Sequence, residues 1–147
     1  MTREEATRHI LEAQQAKGIT WEEIAGHVGR HKVWTTAALL GQHPMSPAEA
    51  QGAVRALGLG PEVAAALQQY PTRGTLDTSV PIDPTIYRFY ELIQVYGTTI
   101  KELIHEGFGD GIMSAIDFEM DIQKLEDPKG DRVVVTLNGK FLPYKKF

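Results

Sequence analysis

The residues best suited to chemistry in this 147-residue chain are Arg88, Glu91 and Ser114. The first two lie in Asp83-Pro-Thr-Ile-Tyr-Arg-Phe-Tyr-Glu-Leu-Ile-Gln-Val-Tyr-Gly97. Asp83 followed by Pro84 reads as an N-cap with proline at the first helical position, and Gly97 as a C-terminal stop. On such a helix Arg88 and Glu91, three positions apart, share a face. The rest is apolar nearly all round (Ile86, Tyr87, Phe89, Tyr90, Leu92, Ile93, Val95, Tyr96), the composition of a buried helix. Two ionisable groups there cost several kcal/mol of desolvation unless they are paired or meet a charged ligand. Two readings stand: a structural ion pair, or an anion site with Arg88 as the clamp and Glu91 holding it.

The elements around this helix come next. Thr99 and Glu102 have capping-box spacing and predict a second short helix ending near Gly107. Gly107-Phe-Gly-Asp-Gly-Ile-Met-Ser-Ala-Ile-Asp-Phe118 carries Ser114 behind three alternate glycines, suited to a tight turn or a close backbone approach. It lacks the Gly-Lys-Ser/Thr of a P-loop and the spacing of a dinucleotide loop. Ile116, Phe118, Met120 and Ile122 alternate with Asp117, Glu119, Asp121 and Gln123, predicting a half-buried strand with an acidic outer face. Those carboxylates are read as structural. A turn at Asp127 to Asp131 leads to a second strand, Val133 to Leu137. Asn138-Gly139 predicts a type I′ hairpin into Lys140 to Leu142, with Pro143 marking an edge. Three strands and two helices in so short a span leave sheet edges and apolar surface uncovered, which favours an obligate homo-oligomer.

Residues 1–70 read as a run of short helices. Thr2 with Glu5, Thr20 with Glu23, and Ser46-Pro47 with Glu49 have capping-box spacing, and Gly18, Gly41 and Gly58 are the expected stops. Ile10, Leu11, Ile24, Val28, Val33, Leu39, Leu40, Val54 and Leu57 are the expected core, with Trp21 and Trp34 as core anchors. Thr20 to Leu40 has the helix-turn-helix pattern of phage repressors. That pattern raises an alternative, a DNA-binding regulator with a small-anion-sensing C-terminal domain. Charge opposes it: residues 1–70 hold six basic and seven acidic side chains, net −1, whereas a DNA reader needs a basic face. Only Arg30 and Lys32 lie near the expected recognition helix. His27 and His31 have the i,i+4 spacing of a metal pair, but Gly29-Arg30 reads as a turn and no third ligand is evident, so no zinc site is expected. His9, His43 and His105 read as surface or packing residues.

The whole is α+β in class: a repressor-like helical bundle at 1–70, a turn-rich linker at 71–82, and a small catalytic and oligomerisation domain at 83–147. The chain has no cysteine, no apolar run of transmembrane length and no signal-peptide pattern at Met1 to Ala6, so a cytoplasmic protein with no membrane partner is expected. Its net charge of −4 does not suggest a nucleic-acid partner.

Pro84 to Gly97, Gly107 to Phe118, and Asn138-Gly-Lys-Phe-Leu-Pro-Tyr-Lys145, in that order, resemble the cyanase family (cyanate hydratase, cyanate lyase). The likeness is close over the C-terminal half and looser over the N-terminal half. It implies catalytic roles for Arg88, Glu91 and Ser114, and bicarbonate-dependent decomposition of cyanate to ammonia and carbon dioxide through carbamate. It further implies no cofactor or metal, bicarbonate serving as co-substrate. The assembly it implies is a decamer, a ring of five intertwined dimers with active sites between subunits.

Overall fold

The structure, a computed structural model, describes residues 1–74 and 76–147; Thr75, inside the stretch read as a linker, lies outside the described residues. The chain forms two compact units, Met1–Thr75 and Leu76–Phe147.

The first unit is built on helix ends that the local sequence dictates. Helices α1 (Arg3–Lys17), α2 (Trp21–Val28) and α4 (Pro47–Leu57) each open on a reciprocal capping box: Thr2 with Glu5, Thr20 with Glu23, Ser46 with Glu49. Each box satisfies two backbone N–H groups that a helix start would otherwise leave orphaned. α1 and α4 stop at Gly18 and Gly58, both left-handed. α3 (Lys32–Leu39) ends two residues before Gly41, with Leu40 as its C-cap, and α5 (Pro61–Leu67) completes the bundle. Ile10, Ile24, Leu39, Leu57, Val63 and Leu67 fill its core, with Trp21 and Trp34 packed half-buried against it. Leu11 and Leu40, expected in that core, are exposed, and Val33 is half-buried. Each of the two leucines follows a fully buried neighbour (Ile10, Leu39), and one step along a helix turns a side chain about 100° away from the core.

Arg3 closes this bundle. Its buried guanidinium donates to the carbonyls of Ala38 (2.8 Å), His43 (3.1 Å) and Ala66 (3.4 Å). Two of these lie in the last turns of α3 and α5, where helix carbonyls carry partial negative charge.

The second unit departs from expectation in three places. Its helix α6 runs unbroken over Pro84–Phe108, with Asp83 capping the Thr85 and Ile86 N–H groups. Gly97 is therefore no stop, Thr99 and Glu102 lie inside the helix, and the C-cap is Gly109 at φ 96°. Ile93, Gly97, Ile100 and Ile104 continue one helical stripe across the glycine, and a glycine inside a helix costs only about 1 kcal/mol. Secondly, the sheet has two strands rather than three, β1 (Gly111–Leu125) and β2 (Arg132–Pro143), paired antiparallel. Asn138 and Gly139 pair with Glu119 and Phe118 inside β2, and the only turn between the strands is at 126–131. Thirdly, the strand expected to be half-buried is interrupted. The register jumps between Met113 and Phe118, so Ser114, Ala115, Ile116 and Asp117 stand against Lys140 alone. That bulge breaks the alternation, and Ile116 is 98 % exposed.

Replacing Arg3 with leucine should weaken the first unit by about 2 kcal/mol, because a charged donor to three carbonyls is lost. Urea unfolding followed by tryptophan fluorescence checks this, since both tryptophans lie in that unit.

Candidate active site

Arg88 and Glu91 sit in the second and third turns of α6. Arg88 Nη1 lies 3.6 Å from Glu91 Oε2, and the side chains are 68 % and 51 % exposed. Within one chain no residue of α6 is buried, as expected of apolar surface that a homo-oligomer would cover. Ile93, Val95 and Leu103 are each more than half exposed. The guanidinium is thus loosely paired with Glu91 and open to a ligand.

Ser114 is built differently. It is one of two buried residues in the second unit, with Gly111. Its Oγ accepts from the N–H of Ile116 (3.1 Å) and of Asp117 (2.9 Å). Two accepted bonds occupy both hydroxyl lone pairs, so its hydrogen is what the group has left to offer. The hydroxyl is configured as a donor and is poorly suited to act as a nucleophile. A serine hydroxyl bonded to backbone N–H groups two and three residues on is a Ser/Thr turn, which the sequence hints at only through the serine itself; its place in a strand bulge gives no local signal.

The fold does not join the three residues within one chain. Among the described residues no hydrogen bond or ion pair links Arg88 or Glu91 to Ser114. The start of β1 meets α6 at its other end, across a cleft of about 310 Å³ lined by Gly97, Ile100, Ile104 and His105 on one side and Ile112 and Met113 on the other. Glu91 lies six residues before Gly97, roughly 9 Å of helical rise farther on.

The other candidates carry no site. His27 lies in the last turn of α2 and His31 caps α3, its Nδ1 accepting from Val33 N. Among the described residues no group of three or more His, Cys, Asp or Glu is placed to hold a metal ion. His9 lies 3.9 Å from Glu12 and His105 3.9 Å from Asp110, while His43 stacks on Trp34. Asp117, in the bulge, has left the row of Glu119 and Asp121.

The helix-turn-helix itself forms, as α2 and α3. Its Arg30, however, donates from Nε to Glu49 Oε1 and lies 5.8 Å over the Trp34 ring. Burial alone would raise the Glu49 carboxyl; the Ser46 N–H, the Arg30 hydrogen bond, the Ser46 hydroxyl and the Arg30 charge outweigh it and hold the group below its ordinary value. One of the two cations near the recognition helix is therefore paired with a buried carboxylate, its own side chain remaining 61% exposed.

The fold is α+β, and its helix-turn-helix unit carries a net charge of −1 over residues 1–70 rather than a basic one. The sequence profile of the cyanate lyase C-terminal domain matches residues 78–146, and that of the cyanate hydratase N-terminal domain residues 3–71. The cyanate hydratase of Cupriavidus necator is 56% identical over 147 residues, all of both chains. That of Mycolicibacterium vanbaalenii is 57% identical over 144 residues, 98% of this chain and 94% of the relative. The crystal structure of cyanase from T. urticae superposes with a TM-score of 0.82 at 40% identity, covering 94% of this chain and 96% of that one. The chain belongs to the cyanate lyase (cyanate hydratase) family and is an enzyme of the lyase class.

Because the Arg88–Glu91 pair is exposed, Arg88→Leu should change the unfolding free energy by less than about 1 kcal/mol. Urea unfolding at fixed protein concentration checks this. A loss of roughly 3–5 kcal/mol would instead mark a buried structural bridge.

Proposed function

We propose that this enzyme decomposes cyanate in a bicarbonate-dependent reaction, with Arg88 as the anion clamp, Glu91 as its holder and Ser114 as a hydrogen-bond donor. The observation that carries the assignment to particular residues is the accessible guanidinium of Arg88 on an uncovered face of α6, in a chain of the cyanate lyase family.

The chemistry asks for what these side chains offer. Bicarbonate attacks the cyanate carbon; the adduct loses carbon dioxide and leaves carbamate, which releases ammonia and a second carbon dioxide. With two protons taken up, cyanate and bicarbonate balance against ammonia and two molecules of carbon dioxide. Two anions must meet despite their repulsion. A guanidinium stays charged at any working pH and presents a fork of donors to both. A serine with both lone pairs engaged adds a donor toward developing negative charge. Holding the reactants together supplies the entropic part of the acceleration. No step calls for a metal or an organic cofactor.

Ser114 must reach Arg88 and Glu91 for this, and a second copy of the chain is the natural source. The exposed apolar residues of α6 and of the hairpin, including Phe89, Ile93, Val95, Leu103, Ile116 and Val133, support a homo-oligomer that covers them. We take the assembly to be a decamer of five dimers with sites between subunits. No helix among the described residues is long and apolar enough to cross a membrane.

Ammonia release from cyanate, measured with and without added bicarbonate, tests the reaction. Turnover should require bicarbonate, persist in a chelator, and fall about 100-fold in an assembled Arg88→Lys variant that keeps the charge but loses the planar fork. Bicarbonate-independent turnover or chelator inactivation would refute the assignment.

The helix-turn-helix unit should bind DNA no better than non-specifically, with Kd of about 10⁻⁴ to 10⁻⁶ M at physiological salt. An anisotropy titration against genomic fragments decides this, and nanomolar sequence-selective binding would restore the regulator alternative.

A further inference from the structure

Gly139 belongs to an Asn-Gly pair that makes no turn, and its φ is not positive. Its need for glycine therefore has another cause. It pairs with Phe118 at the edge of the bulge, where β2 passes the four residues that begin with Ser114. A Cβ built at Gly139 would collide with the Ser114 carbonyl oxygen and come within 2.5 Å of Met113 Cγ and 3.2 Å of its Sδ. The Met113 thioether is flexible and can swing aside. The Ser114 carbonyl is backbone, so only a shift of the bulge or of β2 could relieve the collision.

That shift would act on one group in particular. The Ser114 hydroxyl is aimed by two hydrogen bonds inside the same bulge, from the N–H groups of Ile116 and Asp117. Ser114 is also 4 % exposed, against 98 % for Ile116 two residues on, so the bulge turns the serine inward as it turns the isoleucine out. Moving the carbonyl carries the Cα, the hydroxyl and the staple with it. We infer that Gly139 is a positioning residue for Ser114: its missing side chain lets β2 lie against the bulge and sets where the serine hydroxyl points.

The inference rests on the proposed role of Ser114 and is tested together with it by a double-mutant cycle. Cyanate turnover, thermal unfolding and oligomer size are measured for wild type, Ser114→Ala, Gly139→Ala and the double variant. Loss of the Ser114 donor should reduce kcat about 100-fold or more. A displacement of about 1 Å at a reacting group costs on the order of 100-fold, so assembled Gly139→Ala should lose between about 10-fold and 100-fold in kcat. In the Ser114→Ala background the same substitution should cost less than about twofold, because there is no hydroxyl left to misplace. A purely structural glycine would cost the same factor in both backgrounds, and that result overturns the inference. Full turnover in Gly139→Ala beside an impaired Ser114→Ala overturns it alone; near-normal turnover in Ser114→Ala removes the role of Ser114 and the inference with it. Should Gly139→Ala fail to assemble, Met113→Ala/Gly139→Ala is compared with Met113→Ala. That pair is free of the thioether contacts but keeps the carbonyl collision, so a deficit of about 10-fold or more is expected, and equal turnover overturns the inference.

Discussion

The C-terminal unit has almost no interior of its own, and the rest of the molecule's behaviour depends on that. α6 is 25 residues long without one buried side chain, and the hairpin beside it buries only Gly111 and Ser114. A lone two-stranded hairpin is marginal in water, and a helix carrying apolar residues all round is stable only where they are covered. The N-terminal unit is the opposite case. Fifteen buried apolar residues, from Ala6 to Leu67, form one cluster there. One half of the chain carries its own core; the other presents apolar surface to be covered.

The same constraint bears on the site. Arg88 and Glu91 lie on the helix that most needs covering, so on the proposed assembly a neighbouring subunit walls the pair in while leaving it open to solvent and to the anions it holds. In the open the pair is screened and weak. Under cover, the attraction of a guanidinium for small anions rises as the local dielectric falls. Ser114 is already sheltered and held by its own backbone, so it is a rigid donor rather than a group that must be ordered on binding.

The N-terminal unit puts the turn of a familiar fold to a packing use. α2 and α3 form a helix-turn-helix, yet Arg30 at the turn is committed to Glu49 and to the face of Trp34. Glu49 in turn caps α4. The arginine therefore fastens the α2–α3 turn to the helix behind it, a packing role on a fold better known for reading DNA.

Local rules were enough wherever a few neighbouring residues decide the outcome. The three capping boxes, the Asp83 cap and the left-handed Gly18 and Gly58 are each settled by hydrogen bonds within one turn of helix, so the sequence by itself determined them. So did the i,i+3 spacing that makes Arg88 and Glu91 neighbours. The tertiary structure decided the rest, because there distant segments compete. Gly97 is a stop by type, but the apolar stripe continuing through Ile100 and Ile104 outweighs the small cost of a helical glycine. Asn138-Gly139 is a hairpin turn by type, but opposite it lies a strand long enough to pair straight past, and the glycine is consumed by the close approach of Ser114. The bulge at Ser114 was hidden for the same reason: composition records what a segment would prefer to bury, and only the pairing of β1 with β2 decides which residues the strand turns inward.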